Sequence, residues 1–502
     1  MTTLSIYEKS KGALLATAIG DALGWPNELN SGSKSREETN GKCFHEWSRR
    51  NRVPFWHSET ILPGEYSDDT QLTLAVGRSL LNSNWIEQLA FREFPYWLNY
   101  ERGAGRTLIR SSQLLKKRIM PWKTDQFIKD YYQAGGNGGV MRILPHVIYK
   151  HKESMETIID DVIEDVLITH GHPRAILGAT CYAVALHYLF NKNDVLHFAE
   201  LPKLLIEKKS IWGKLPAEAK FKNWLDTAYN KAGYNYTNEW NDCYRQMLDT
   251  LTFIEQSLED GLLTEDKSVL ERIGAYSNSS GSGTVTILSA VYLFSKYVSS
   301  PELGILIPAY SRGIDTDTIA SITGGLIGAL IGSDWIPPEW KCVQDCDYIK
   351  SLALSLSRKN CEIAKHYDAT LPVIDTDIGG MQFLDETNLS FKYSTINISR
   401  YRLLYGQTIY IKRNINKQLN TDINDTVSES NQGTLDLKIQ ISYSELKQII
   451  NNDSFEGILL KEVIAVVLLY VQGNDIDLIE KKVHINKKAI NSIVQYWNKK
   501  KC

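Results

Sequence analysis

Two short stretches, Ser67-Asp68-Asp69-Thr70 and Asp315-Thr316-Asp317-Thr318, set carboxylates directly beside hydroxyls. Each opens a run with helical apolar spacing: Leu72, Val76 and Leu80 follow the first, and "IASITGGLIGALIG" follows the second. In an irregular lead-in, residues two apart can turn both side-chain oxygens the same way. Carboxylate and hydroxyl oxygens are hard ligands that suit Mg²⁺ or Mn²⁺ and not zinc. If the two helix mouths face each other, four acids converge, and their repulsion calls for cations between them. A two-metal site then follows, with the ions polarising an oxygen-rich substrate or activating water. Either stretch alone has a plainer account, because serine is a good N-cap and first-turn acids suit the helix dipole.

Three further stretches bear on this reading. Asp21 ends the apolar run "GALLATAIGD", where a carboxylate faces the negative end of a helix dipole. Such local violations concentrate at functional sites, although a solvated helix end explains it equally. In "GGNGGVMR", Gly135 to Arg142, glycines around Asn137 permit positive φ and close backbone approach. Exposed N–H groups there could hold a diphosphate, and a tight turn is the alternative. "THGHP" places His170 and His172 just before a helix.

The elements that must hold these residues are helices. From Ile6 to about Tyr367 the dominant pattern is helical, with "HPRAILGATCYAVALHYLF" and "GTVTILSAVYLFSKYV" as further apolar helices. Strands do not alternate with helices, which excludes a doubly wound sheet. Ala320, Gly324 and Gly328 recur at four-residue spacing, so a neighbouring helix can approach closely. Residues 191–270 are more polar and read as helices on the outside of a bundle. After Asp368 the character changes. "QTIYIKRN" alternates like a strand, Asn416–Thr434 is a polar linker, and "LDLKIQISYSELKQII" suggests a strand and a helix. The expected organisation is an all-α domain over 6–367, a connecting region over 368–434, and a small mixed α/β C-terminal domain over 435–502.

Composition sets the outer bounds. The chain has 502 residues, 43% hydrophobic and 23% charged, ordinary for a soluble globular protein. A formal net charge of -3 gives the whole molecule no strong address for nucleic acid or membrane. The first residues, "MTTLSIYEKSKG", lack the apolar core of a secretory signal. Ile319–Gly332 is too short to span a bilayer and reads as a buried helix. Seven scattered cysteines fit a reducing cytoplasm.

Taken in order, "GDALGWPNE", "YSDDTQL", "NGGVMRILP", "THGHPRA" and "GIDTDTIASITGGLIGA" resemble the motifs of the ADP-ribosylglycohydrolase family across most of residues 10–335. The resemblance implies an all-α fold around two Mg²⁺ or Mn²⁺ ions. It also implies cleavage of the bond between C1″ of the distal ribose of ADP-ribose and an acceptor. By the same resemblance Ser67, Asp68, Asp69, Asp315, Asp317 and Thr318 are the metal ligands, with Ser67 where the family usually has threonine. Glu28 matches an acidic residue that gates the cleft and acts in acid/base transfer, beside Asp69 and Asp315. Asn137, Gly138, Gly139 and His170 match segments that line the phosphates and ribose, and Asp21 is grouped with them. Where the family has Gly-Gly-Asp, this chain has Gly313-Ile314-Asp315, a β-branched residue beside the expected metals.

The chemistry is consistent with that expectation. Loss of a glycosidic C1″ passes through an oxocarbenium-like state. Two metals could fix the vicinal 2″ and 3″ hydroxyls while a held water attacks. Which aspartate takes the proton stays open. A non-catalytic ADP-ribose reader is the alternative, opposed by the survival of all six oxygen donors. A prenyl-diphosphate synthase fits poorly, because Leu72 stands where Asp-Asp-x-x-Asp needs its third acid. At the far end, "NDIDLIEKKVHINKKAINSIVQYWNKKK" reads as helix, turn, helix, with Asn474 and Asn486 as N-caps. Lys487, Asn491 and Gln495 share a face, the layout of a nucleic-acid recognition helix. A docking module with a solvated basic face is the favoured alternative. The expected partner is an ADP-ribosylated substrate, with no membrane and a monomer or weak oligomer.

Overall fold

The computed structural model describes residues 4–28, 43–51, 57–261, 264–360, 363, 368, 370–391 and 394–416, with scattered positions from 466 to 494. At its centre two helices lie antiparallel and unusually close. Helix α1 (Ile6–Gly24) starts at an N-cap serine, whose Ser5 Oγ accepts from Glu8 N at 3.2 Å. It presents Gly12, Ala16, Gly20 and Gly24 at four-residue intervals. These meet Gly328, Gly324, Ala320 and Thr316 of α7 (Thr316–Ile331). A Cβ on Gly20 would lie 2.3 Å from the Ala320 carbonyl oxygen, and one on Gly324 2.3 Å from that of Ala16. One on Gly24 would lie 2.4 Å from the Thr316 oxygen. Only glycine permits this approach, and it fixes the end of α1 against the start of α7.

Helix α2 (Asp68–Leu80) begins at the same level. Around this core stand α3 (Met155–Leu167), α4 (Pro173–Asn191), α5 (Tyr236–Glu259), α6 (Gly283–Tyr297) and α8 (Cys346–Arg358). Helix α4 is buried along nearly its whole length. Helix α5 buries Tyr236, Trp240, Cys243, Met247, Leu251, Ile254 and Leu258 and turns its polar residues outward. That one-sided pattern is what an outer helix of a bundle needs. Among the described residues no helix is long and apolar enough to cross a membrane.

Two small sheets accompany the helices. Strands β1 (Trp47–Asn51) and β2 (His57–Ile61) pair antiparallel, from Trp47 opposite Ile61 to Asn51 opposite His57. A second sheet has the order β3 (Met381–Ser390), β4 (Ser394–Leu403), β5 (Thr408–Asn416). The strand expected at "QTIYIKRN" is β5. The others were not anticipated: β3 carries Asp385, Glu386, Thr387 and Asn388 in its middle, and that polar run hides the alternation.

The compact units of the fold are drawn differently from the expected boundary after residue 367. One compact unit comprises Met1–Asn388 with Asn397–Asn414, and a second comprises Leu389–Ile396 with Ile415–Cys502. Most of the sheet therefore folds with the helical domain, because β5 bonds to its loops, as in Lys412 N to Asn99 O at 3.0 Å. The linker expected over 416–434 lies outside the described residues after Asn416, as do Asn474, Asn486 and Gln495. In that second unit a helix spans Ile476–Val483, and Lys487 and Asn491 are exposed.

Candidate active site

The approach of α1 to α7 gathers the acids. Asp21, in the last turn of α1, is fully buried. Its carboxylate accepts from Ser67 N and Thr70 N, both at 2.9 Å, and from Thr70 Oγ1 at 2.6 Å. An acid disfavoured at the end of its own helix thus caps the start of another, where the dipole favours it. Its oxygens are occupied in holding α2.

The mouth of α2 is built from Ser67, Asp68 and Asp69, all buried. Ser67 Oγ accepts from Asp69 N at 3.2 Å, and Asp68 N donates to the Arg102 carbonyl at 3.0 Å. Gly103, at φ +116°, packs on Asp68: a Cβ there would lie 3.0 Å from Asp68 Oδ1. Asp69 Oδ2 is buried with no hydrogen-bond partner. At the mouth of α7, Asp315 is the N-cap, and Thr318 N donates to Asp317 Oδ1 at 2.9 Å. Asp315 Oδ2 accepts from Asn137 Nδ2 at 2.9 Å, and the same amide reaches Thr286 Oγ1 at 3.1 Å.

Electrostatics shows that the two mouths face each other. Burial first, then Asp21, Asp68 and Asp315, hold the Asp69 carboxyl well above the usual range, against a hydrogen bond from Thr318. Asp317 is raised by burial and by Glu28, Asp315, Asp69 and Asp21, and Asp68 by burial, Glu101, Asp21 and Glu28. Glu28 is pushed up to about 8 by burial and Asp315, with Arg49 opposing. Among the described residues none of Asp21, Asp68, Asp69, Asp315 and Asp317 forms an ion pair. Acids so assembled, without a cationic side chain and with one oxygen left bare, form an all-oxygen donor set suited to a hard divalent cation.

The glycine-rich turn does not use the positive φ that its glycines permit. None of Gly135, Gly136, Gly138 and Gly139 has a positive φ. They are needed for packing: a Cβ on Gly138 would lie 2.8 Å from Leu108 Cδ1, and one on Gly139 3.0 Å from Val166 Cγ1. The turn is tied down by Arg142, whose guanidinium donates to the Gly138 carbonyl at 2.5 Å and to Asp165 at 2.8 Å. His170 is buried behind the turn, its Nδ1 2.8 Å from Thr169 Oγ1. Burial and then Arg142 push it down to about 3, so it is neutral. His172 caps α4, taking Arg174 N on Nδ1 at 3.1 Å. Its Nε2 then carries the proton and points to Glu239 Oε1 at 3.4 Å.

The structure brings together Ser67, Asp68, Asp69, Asp315, Asp317, Thr318, Asp21, Glu28 and Asn137. Gly138, Gly139 and His170 support Asn137 from behind. Ile314 is 1% exposed and joins the hydrophobic core. Sequence reasoning missed the wall made by Arg102 and Gly103, and Arg49, which pairs with Glu101 at 3.3 Å and lies over Trp25. Their signal was faint: a Gly-x-Gly at 103–105 marks a turn and says nothing of what it packs on.

Comparison with known proteins identifies the family. The family model for ADP-ribosylglycohydrolase matches residues 2–364. The ADP-ribosyl-[dinitrogen reductase] glycohydrolase of Rhodospirillum rubrum is 26% identical over 383 residues, covering 75% of this chain and 100% of the relative. The ADP-ribosylhydrolase ARH3 of Homo sapiens is 26% identical over 317 residues, 58% of this chain and 78% of its own. The ADP-ribosylarginine hydrolase Tri1 of Serratia proteamaculans (strain 568) is 24% identical over 192 residues, 37% of this chain and 49% of its own. Since the family model spans most of the chain, this protein belongs to the ADP-ribosylglycohydrolase family and is a hydrolase of glycosyl bonds.

Proposed function

We propose that this protein cleaves the C1″ glycosidic bond joining ADP-ribose to an acceptor, with two Mg²⁺ or Mn²⁺ ions held by Ser67, Asp68, Asp69, Asp315, Asp317 and Thr318. The observation that carries the metal is the bare, buried Asp69 Oδ2 among mutually repelling acids. When bound, such ions supply polarisation of the ribose hydroxyls and a more acidic water. The chain's own residues do the rest. Asp21 fixes the α2 mouth, and Asn137 orients the Asp315 carboxylate. Glu28, protonated near neutrality, would give its proton to the leaving atom as the C1″ bond breaks. A site aspartate takes the proton of the attacking water.

The substrate is an ADP-ribosylated protein, nucleic acid or small molecule. The relatives' names point to different acceptors, a dinitrogen reductase for one and arginine for another. Digesting defined ADP-ribosylated proteins and DNA side by side identifies the acceptor. We place the protein in a reducing cytoplasm as a monomer or weak oligomer; Cys181 and Cys243 are buried free thiols. The C-terminal unit would select the partner, through a docking face or through nucleic acid. The one residue that favours a non-catalytic reader is Ile314, which stands where the family has glycine beside Asp315, and it is buried in the core. Release of ADP-ribose that needs added Mg²⁺ or Mn²⁺ and stops in chelator supports the proposal; full turnover by metal-free protein overturns the metal.

A further inference from the structure

We propose that strand β5, which lies beyond the segment shared with the family, is a positioning element of the catalytic cleft. It acts through Tyr410 and Thr408 on the adjacent residues Asp68 and Ser67. This rests on the reading of those residues as ligands. The family model ends at residue 364 and β5 begins at Thr408, yet the strand folds into the same compact unit as the site up to Asn414.

Two hydrogen-bonded routes run from β5 to the α2 mouth. In the first, Tyr410 Oη donates to Glu65 Oε1 at 2.6 Å, and Arg102 Nη2 donates to Glu65 Oε2 at 2.6 Å. The Arg102 guanidinium lies 4.4 Å from the Tyr410 ring centre and 5.1 Å from that of Trp25. It is 1% exposed, so the Glu65 carboxylate and the Tyr410 and Trp25 rings hold it in one place. The backbone carbonyl of this Arg102 takes the Asp68 amide at 3.0 Å, and the next residue, Gly103, packs on the Asp68 carboxylate.

In the second route, Thr408 donates to Asp345 from its N–H at 2.9 Å and its hydroxyl at 2.7 Å. Tyr66 Oη donates to the same carboxylate at 2.6 Å. Asp345 sits at φ +57°, a left-handed backbone that its fixed partners maintain. Tyr66 is buried and immediately precedes Ser67. The first route passes through the buried Glu65 carboxylate and the second through the half-buried Asp345 carboxylate, and each ends on the backbone at or next to a proposed ligand. Outer partners of this kind orient ligands, and losing one typically weakens metal binding by about 10–100-fold.

The test uses the full chain and the variants Tyr410→Phe and Thr408→Val, with Phe383→Ser on exposed β3 as control. Hydrogen exchange of the metal-free proteins reads the peptide around Tyr66–Thr70, and Mn²⁺ titration reads affinity. Tyr410→Phe keeps the ring under Arg102 and removes only the hydroxyl. We expect faster exchange in that peptide, no change in the α1–α7 pair, about tenfold weaker Mn²⁺ binding, and a fall in kcat with KM little changed. The control should match wild type. Unchanged exchange around Tyr66–Thr70 in both β5 variants overturns the proposal, whatever the metal result. If Tyr410→Phe does not fold, Thr408→Val, which removes the hydroxyl bond to Asp345 and keeps the backbone N–H bond, weakens the second route at nearly constant volume and decides alone. If wild type binds no Mn²⁺, the ligand reading fails, while the exchange data still decide what β5 positions.

Discussion

Two sets of buried carboxylates stand within one domain and behave oppositely. Glu65 meets Arg102, Glu59 meets Lys412 and Tyr100, and Asp165 meets Arg142 and His146. Burial raises each, but the facing cations and hydrogen-bond donors win, and all three lie below their usual range. Asp21, Asp68, Asp69 and Asp317 are buried to the same degree, face one another, and lie above it. The same residue types under the same desolvation differ only in what faces them. The paired set holds the wall of the cleft. The unpaired set is kept against its own repulsion, which a fold tolerates where those charges meet something from outside.

The comparison breaks most readily at the unpaired set. Asp69→Ala and Asp315→Ala should each lower turnover by about 10⁴-fold, the scale of losing one member of a catalytic unit. The metal-free proteins should stay folded, with Tm held or raised, because a repelling charge is gone. Thermal melts of chelated protein check this, and a collapse of both variants would move these acids to the paired kind. Next comes the paired set itself. Arg142→Ala leaves the buried Asp165 carboxylate with His146 as its remaining side-chain partner and frees the glycine turn, so it should cost about 3–5 kcal/mol by denaturant unfolding. An unchanged midpoint would mean that Asp165 gains nothing from its partner. Smaller again is Glu28→Ala, for which we expect turnover to fall about 10²-fold while ADP-ribose affinity moves little. Affinity falling in step with turnover would make Glu28 a binding group.

Much of the unpaired set was legible in the sequence, and the paired set was not. The spacing of Asp68, Asp69, Asp315 and Asp317 at two helix starts is local information, and so is the run Ala320, Gly324, Gly328 that lets α1 approach. Asp21 announced itself by breaking a local rule. Its partner did not, since the bond to Ser67 N joins residues that no short pattern relates. The same is true of Glu65 with Arg102 and Tyr410. The glycines at 135–139 were legible as special but not for their reason: they answer contacts with Leu108 and Val166 that only the fold creates. The polar centre of β3 concealed a strand, and with it the fact that the sheet belongs mostly to the catalytic unit.

The smallest effect is the pH dependence of stability, in which the two sets carry opposite signs. Glu65 and Glu59 have folded values below 4.5, and Asp165 below 3.8. Their contribution is complete above the unfolded values and is lost as pH falls through the lowered folded ones. Asp21, Glu28, Asp68, Asp69 and Asp317 are raised, so the folded state binds more protons than the unfolded chain, and stability falls as pH rises between the unfolded and folded values. For Glu28 the rise is from 4.5 to about 8. His170 and His172, pushed down to about 3 and about 4 by burial, favour the folded state as pH rises toward 6.5 and mask the effect there. The clean window is therefore pH 6.5–8. In chelator, stability should decline across it, with a slope of at most about 1.4 kcal/mol per pH unit for the Glu28 proton. Glu28→Gln should remove that share of the slope. Saturating Mn²⁺ should flatten the decline, because a bound cation favours ionised ligands in the folded state alone. Thermal melts from pH 6.5 to 8, with chelator and with Mn²⁺, measure all three, and a chelated protein that gains stability toward pH 8 would show that the site acids are compensated after all.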